Sequence, residues 1–153
     1  MSRPPQPDQA STDALQDALA AEHAALWSYS LAVAFLTDGQ RDQARSDAAE
    51  HLELRSAVER TLTRFGVPAV SAEPAYAVPE PVVDAGSAAR LVAVAESDAL
   101  AAWRSVLERC PDPGVRKPAL QALTDGTLRS ARWRVVVGSP PAVPVFPGRP
   151  DRT

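Results

Sequence analysis

Three side chains capable of metal binding or acid–base chemistry occupy positions where a helical core is expected. Glu22 lies on a stripe of mostly apolar residues spaced alternately by four and three, which is one face of an α-helix. His51 and Glu96 hold equivalent positions on two later stripes, and Tyr29 and Arg55 continue the first two. Because a lone buried charge is costly, such residues either coordinate a metal ion or form a buried network of charges and hydrogen bonds.

Helical spacing recurs in four segments that Gly- and Pro-containing breaks separate. The short turn at Thr37-Asp38-Gly39 should make the first two helices antiparallel neighbours, and the break at Pro111–Gly114 should do the same for the last two. The predicted helices cover residues 11 to 36, 41 to 65, 87 to 109, and from between 113 and 118 to about 138.

The segment between the second and third helices, residues 66–86, carries four prolines, so it is neither helix nor central strand. As polyproline II its ~20 residues reach ~60 Å, whereas a helix of ~24 residues is only ~36 Å long. The segment can therefore run the length of a bundle, with Tyr76 packed on the helices. The sequence predicts an all-α fold of two antiparallel helical hairpins joined by a long Pro-rich crossover, with the second and third helices pointing the same way.

The ends of the chain differ in composition from the helical region. Residues 1–10 are polar and Pro-rich and are expected to be disordered. Residues 11–138 should form the bundle. Residues 139–153 contain five prolines, and they should form an extended strap or a free Pro-rich tail, which is a composition that can bind a protein partner.

Composition excludes several classes of function for this 153-residue chain. A net charge of −3 gives no basic surplus for nucleic acid. No apolar run approaches membrane-spanning length, and the N-terminus lacks the apolar centre of a signal peptide, so we expect a cytoplasmic location. Cys110 is the only cysteine, which excludes a disulfide or a Cys-based zinc site within one chain.

Several segments, in this order, resemble a family of actinobacterial ferritin-like domains of unknown function, DUF4439. The resemblance covers roughly residues 12 to 149 and implies a ferritin-like four-helix bundle without an assigned activity. The resembling segments are Ala20-Ala21-Glu22-His23-Ala24-Ala25 with Trp27 and Tyr29, His51 with Arg55, Pro74-Ala75-Tyr76-Ala77-Val78-Pro79, Glu96, Ala131-Arg132-Trp133-Arg134, and Phe146-Pro147-Gly148.

The ligand pattern of ferritin-like di-iron proteins is incomplete in this sequence. Those proteins use a Glu from each of two helices and a Glu-x-x-His unit from each of the other two. Here Ala48 stands three residues before His51, and the fourth predicted helix has neither Glu nor His. The other histidine, His23, lies off the core stripe and is expected at the surface or an interface. A standard di-iron site cannot be assembled.

A single iron, manganese or zinc ion held by Glu22, His51 and Glu96 remains an alternative. With a turn centred near residue 39, however, Glu22 should lie level with Arg55 or Val58, and His51 with Leu26 or Tyr29. Glu22 and His51 would then differ in height by roughly 6–10 Å. Metal ligands must instead converge within ~2.0–2.2 Å of one point.

The interpretation that fits best is a buried polar network without a cofactor. Arg55 should pair with Glu22 and Glu96, because a guanidinium can serve two carboxylates, and His51 should bond Tyr29. The predicted protein is a non-catalytic ferritin-like bundle of unknown function, with a degenerate metal centre and a homodimeric assembly. Three alternatives stay open: a small polar pocket in which Glu22, Tyr29, His51, Arg55 and Glu96 bind a ligand or substrate, a mononuclear metal-binding or oxidoreductase protein, and an interaction module that binds through its Pro-rich tail. The run Arg41–Asp47 is expected to be a solvated face, and Trp27, Trp103 and Trp133 are expected to be packing residues.

Overall fold

The computed structural model describes residues 6–150, which contain four α-helices and no strand. The part of the disorder prediction that concerns residues 1–5 lies outside the described residues. Residues 9 and 10, also predicted to be disordered, are helical. The helices are α1 (Gln9–Ala32), α2 (Asp38–Arg64), α3 (Ala85–Arg109) and α4 (Pro113–Val137).

The first two helices begin earlier than the sequence pattern predicts because capping residues lie further upstream. The carboxylate of Asp8 accepts a hydrogen bond from the backbone N–H of Ser11 at 2.8 Å, which satisfies one free donor of the first turn of α1. Thr37 precedes α2, and its backbone N–H donates to the side chain of Gln40 at 3.2 Å, one half of a capping box. As a result Gly39 lies within α2, and the connection from α1 is only residues 33–37.

The second pair of helices is delimited in the same way. Asp84 caps α3 through the N–H of Ser87 at 2.8 Å, and Asp112 caps α4 through the N–H of Gly114 at 2.8 Å. The last helix ends at Gly138, whose φ of 70° is left-handed and therefore favours glycine.

Two apolar clusters fill the bundle, one towards each end. The first joins the start of α1, the ends of α2 and α3 and the start of α4, and it includes Leu15, Leu19, Val58, Leu62, Val106 and Ala119. The second joins the end of α1, the starts of α2 and α3 and the end of α4, and it includes Ala32, Leu36, Ala44, Ala88, Val92 and Trp133. Since α2 and α3 both run from the second cluster to the first, these two helices point in the same direction.

The segment between α2 and α3 is tied to the outside of α1. The Gln16 side chain donates to the carbonyl of Pro68 at 2.7 Å and accepts from the N–H of Val70 at 2.8 Å. Further along, the ring of Tyr76 lies 5.9 Å from that of Trp27, and Val82 packs against the second cluster. These contacts follow α1 towards its C-terminal end.

Residues 139–150 turn back from α4 and lie against α3. Arg134 donates to the carbonyl of Pro141 at 2.8 Å. Gly148 has a φ of 78°, and a Cβ atom there would lie 2.5 Å from the carbonyl oxygen of Leu100. Glycine is therefore required where this segment meets α3. Over the described residues, no helix combines the length and apolar character needed to cross a membrane.

Candidate functional site

Between the two apolar clusters lies a set of polar side chains that we call the buried ionic cluster. It consists of Glu22 and Tyr29 from α1, Asp47 and His51 from α2, and Glu96 from α3, none of them more than 2% exposed. Three carboxylates in one protein interior require cations and hydrogen-bond donors close by.

His51 is at the centre of the cluster and contacts two carboxylates at once. Its Nδ1 lies 2.6 Å from Oε2 of Glu22, and its Nε2 lies 2.8 Å from Oε1 of Glu96. When both carboxyl groups are ionised they only accept, so both ring nitrogens then carry a proton and the imidazole is cationic. Burial lowers the pKa of His51, but the hydrogen bonds to Glu22 and Glu96 outweigh it and raise that pKa to about 9.

Each oxygen of Glu22 has a donor. His51 occupies Oε2, and the indole N–H of Trp103, from α3, donates to Oε1 at 2.7 Å. An indole nitrogen can only donate, so Trp103 holds this carboxylate as an acceptor. A tryptophan predicted to be a packing residue thus also serves as a hydrogen-bond partner.

The donors around Glu96 all approach the same carboxylate oxygen, Oε1. Besides His51, the hydroxyl of Tyr29 donates to Oε1 at 2.6 Å, and Nε of Arg129 lies 3.5 Å from the same atom. Burial raises the pKa of Glu96, but the hydrogen bond and positive charge of His51, the charge of Arg129 and the bond from Tyr29 together hold that pKa below its ordinary value. Burial, followed by the negative charges of Glu96 and Asp47, raises the pKa of Tyr29, so its hydroxyl stays protonated.

Asp47 extends the cluster towards the surface. Its Oδ2 accepts from the indole N–H of Trp133 at 2.9 Å, and its Oδ1 accepts from Gln43 at 2.8 Å and from Arg132 at 2.9 Å. The Tyr29 hydroxyl lies 3.4 Å from Oδ2 and so connects Asp47 to Glu96. Arg132 is half-exposed, so the hydrogen-bonded chain leads from the centre of the bundle to solvent.

The buried guanidinium of this region belongs to Arg129 of α4. Its side chain is 3% exposed, and it donates to Glu50 at 2.7 Å as well as facing Glu96. Gly126, one turn earlier, leaves the space for it: a Cβ atom there would lie 3.0 Å from Leu100 and 3.3 Å from Nη2 of Arg129. Burial lowers the pKa of Arg129, but the charge of Glu96 and the bond to Glu50 outweigh it and raise that pKa.

The sequence-predicted residues come together with one exception. His51 contacts both Glu22 and Glu96, and Tyr29 joins this group through its hydrogen bond to Glu96. Arg55 does not: it is half-buried, and its nearest acidic group is Glu59, at 3.9 Å. The predicted pairing of Arg55 with Glu22 and Glu96 is therefore wrong.

The error has a specific cause in the first hairpin. Because α2 begins at Asp38, the turn is centred about a helical turn earlier than predicted, and His51 rather than Arg55 lies level with Glu22. The predicted height difference of 6–10 Å between Glu22 and His51 is wrong for the same reason. His51 also bonds Glu96 instead of Tyr29, although the Tyr29 and His51 rings are only 5.5 Å apart.

Asp47 and Arg129 contact the cluster, although neither is among the site residues predicted from the sequence. Asp47 was assigned to a solvated charge run, yet it lies four residues before His51 and so shares its helix face. Arg129 lies three residues after Gly126 and four before Trp133, again on an inward face. His23, expected at the surface or an interface, is instead buried beneath the connecting segment, with Nε2 3.1 Å from the carbonyl of Val70.

The donor set does not suit a metal ion. Both nitrogens of the one imidazole are engaged by carboxylates, and one oxygen of Glu22 faces an indole N–H that can only donate. Within residues 6–150, no three His, Cys, Asp or Glu side chains are arranged to hold a metal ion. The arrangement can instead share protons along hydrogen bonds and neutralise buried charge.

The fold and this cluster define an all-α four-helix bundle with an ionic centre. The chain belongs to a family described as a domain of unknown function, DUF4439, whose sequence model matches residues 14–151. The crystal structure of a conserved hypothetical protein, rv2844, from Mycobacterium tuberculosis is similar at 35% identity with a TM-score of 0.80. The alignment covers 83% of this chain and 96% of that one. No curated protein matches the sequence.

Proposed function

We propose that this chain is a ferritin-like bundle in which protonated His51 replaces a metal ion as the central cation, giving a non-catalytic structural core. The observation that carries the proposal is the position of the imidazole, whose two nitrogens lie 2.6 and 2.8 Å from carboxylates of two different helices. In this proposal the ionic cluster is a degenerate metal centre whose remaining residues now hold helices together.

The charges of the cluster support this function. His51 lies between Glu22 and Glu96, and Arg129 approaches Glu96 from the fourth helix. These contacts supply positive charge where ferritin-like di-iron proteins place two metal ions among four carboxylates. Removing one partner of such a buried pair costs ~3–5 kcal/mol, because the other charge is stranded.

The enclosure of the cluster also supports a structural role. Glu22, His51 and Glu96 have no exposed surface, and apolar clusters close the bundle above and below them. A substrate would need an opening to reach these groups, since general acid–base catalysis requires hydrogen-bond distance to the reacting atom.

Elemental analysis of untagged protein tests the proposal. Protein incubated with Fe²⁺, Mn²⁺ or Zn²⁺ and then dialysed should retain well under one metal ion per chain. In parallel, ¹⁵N NMR at pH 7.5 should show both nitrogens of His51 protonated, with His23→Gln serving to assign the two histidines.

One metal ion per chain that survives dialysis and is lost in Glu22→Ala would contradict the proposal and favour the mononuclear metal site. A neutral His51 at pH 7.5 would contradict it as well. The His23→Gln variant also shows whether any bound metal belongs to the other histidine.

A further inference from the structure

A cavity separate from the ionic cluster opens between α1, α2 and the connecting segment. It is open to solvent and has a volume of about 400 Å³, which is within the range of small-molecule sites. We call it the lateral pocket. Apolar side chains such as Leu26, Val33 and Leu52 contribute to it, and its aromatic and charged lining residues are His23, Trp27, Tyr29, Arg45, Arg55, Glu73 and Tyr76.

The outer wall of the lateral pocket is held in place by specific contacts. The Tyr76 ring lies 5.9 Å from the Trp27 ring at an angle of 58°, and the Tyr76 hydroxyl accepts from the backbone N–H of Glu73 at 2.9 Å. His23 contacts the carbonyl of Val70 at the base of the same wall. A pocket shaped before the ligand arrives loses less entropy on binding.

Arg55 supplies an unused hydrogen-bonding group in this pocket. Its Nε atom is buried and has no hydrogen-bond partner. Its nearest acidic group, Glu59, lies 3.9 Å away, which is beyond hydrogen-bond distance. A buried donor without a partner is unfavourable, and a planar guanidinium matches the geometry of a carboxylate. The side chain is 34% exposed, so the terminal guanidinium nitrogens, rather than the buried Nε, are the atoms that would meet an anion.

The charges of the lateral pocket favour a ligand with a single negative charge. Two arginines, Arg45 and Arg55, and one acid, Glu73, line the pocket, and Glu59, which is not part of the lining, lies 3.9 Å from Arg55. Arg45 has only a distant partner, Asp42, at 3.7 Å. Trp27 and Tyr76 provide faces on which an aromatic ring can pack.

We propose that the lateral pocket binds an aromatic monocarboxylate, with the carboxylate on Arg55 and the ring against Trp27 and Tyr76. This site is distinct from the ionic cluster, and the structural role of His51 does not depend on it. Tyr29 borders both, so the ligand would lie against the outer side of the cluster.

A titration with phenylacetate, followed by two-dimensional NMR of ¹⁵N-labelled protein, tests the site. The amides of Trp27, Arg55 and Tyr76 should shift and saturate. Acetate, which lacks the ring, and phenylacetamide, which lacks the charge, should each bind at least tenfold more weakly.

Variants of arginines on the same helix locate the binding. Arg55→Gln should weaken phenylacetate binding tenfold or more, and Arg55→Lys, which keeps the charge without the planar fork, should recover part of the loss. Arg60→Gln is the matched control, because Arg60 lies on α2 but borders the groove between α2 and α4. It should leave the dissociation constant unchanged. Tyr76→Leu should weaken binding severalfold through the aromatic wall alone.

Three results would overturn the proposal. One is the absence of saturable shifts with phenylacetate in protein whose spectrum shows it to be folded. Another is a larger loss in Arg60→Gln than in Arg55→Gln, which would move the site to the α2–α4 groove. The third is equal affinity for phenylacetamide, which would show that the carboxylate is not recognised.

Discussion

Raising the pH should destabilise the fold by removing the proton that links Glu22 to Glu96. The pKa of His51 is 6.5 in an unfolded chain and about 9 in the bundle. Because the folded-state pKa is raised, this stabilisation is complete below pH 6.5 and is lost as the pH rises through 9. Glu96 behaves in the opposite way: its lowered pKa gives stabilisation above about pH 4.5 that is lost in acid. The stability contributed by the two groups is therefore greatest between about pH 4.5 and 6.5.

The expected loss of stability follows from the pKa shift of His51. A rise from 6.5 to about 9, at 1.36 kcal/mol for each pH unit, corresponds to about 3 kcal/mol at full effect. That is a large fraction of the ~5–15 kcal/mol by which a domain of this size is stable. Nearly all of it should be lost between pH 6.5 and 9.5.

The assay is urea unfolding at pH 6.5, 8 and 9.5, with the free energy of unfolding in water extrapolated at each pH. Cys110 complicates the alkaline end, because burial raises the pKa of its thiol and its ionisation also favours the unfolded state. His51→Gln keeps that thiol and removes the imidazole. The difference between the two pH profiles therefore isolates His51.

Parallel pH profiles for the wild type and His51→Gln would refute the reasoning. If the variant is too unstable to measure, direct NMR titration of His51 in the wild type decides the question. A midpoint near 6.5 would show that the imidazole does not act as the bridging cation.

Three further predictions concern other contacts. A double-mutant cycle of Glu22→Gln with Arg55→Met should give a coupling energy within ~0.5 kcal/mol of zero, since the structure separates these residues. Asp47→Ala should destabilise the fold by at least ~2 kcal/mol, because it leaves a buried indole N–H without its acceptor. Gly148→Ala should accelerate amide hydrogen exchange in residues 139–150, because its Cβ atom would meet a backbone oxygen at 2.5 Å.

Each of these three predictions has a control variant or a result that would contradict it. A Glu22–Arg55 coupling above about 1 kcal/mol would place the guanidinium back in the core. The control for Asp47 is Asp42→Ala, which changes an exposed carboxylate and should lower the free energy of unfolding by no more than ~0.5 kcal/mol. If Asp47→Ala lowers it by the same small amount, the hydrogen bonds of Asp47 do not stabilise the fold. Gly66 also has a positive φ, 71°, but its Cβ would meet no atom within 4 Å, so Gly66→Ala should leave exchange in residues 139–150 unchanged.

The sequence allowed the four-helix fold and the centre of the site to be predicted, because both follow from spacing along single helices. Glu22, His51 and Glu96 stand out as polar residues at core positions, and each is fully buried. Their polarity is conspicuous only because the surrounding stripe is apolar. Helical periodicity therefore identifies which residues face inward, and it does so without any knowledge of how the helices are aligned with one another.

The pairing of helices was harder to predict because it depends on where each helix begins. A single capping residue, Thr37, starts α2 three residues before the predicted position and brings His51 rather than Arg55 to Glu22. Arg129 and Asp47 were missed for another reason. Asp47 is the last residue of the charged run Arg41–Asp47, and the inward face around Arg129 consists of small residues such as Ala122 and Gly126, which mark a buried face less clearly than large apolar ones.

The ionic cluster also has a consequence for how the two halves of the chain come together. Glu22 and His51 belong to the first hairpin, whereas Glu96 and Arg129 belong to the second. A slip of one turn between the halves, about 5.4 Å, would carry Glu96 away from both His51 and Tyr29 and leave their polar groups without partners. The apolar contacts on either side are non-directional, so they discriminate between alignments less sharply than these hydrogen bonds do. The ionic centre thus favours the one alignment of the two hairpins in which Glu96 meets both His51 and Tyr29.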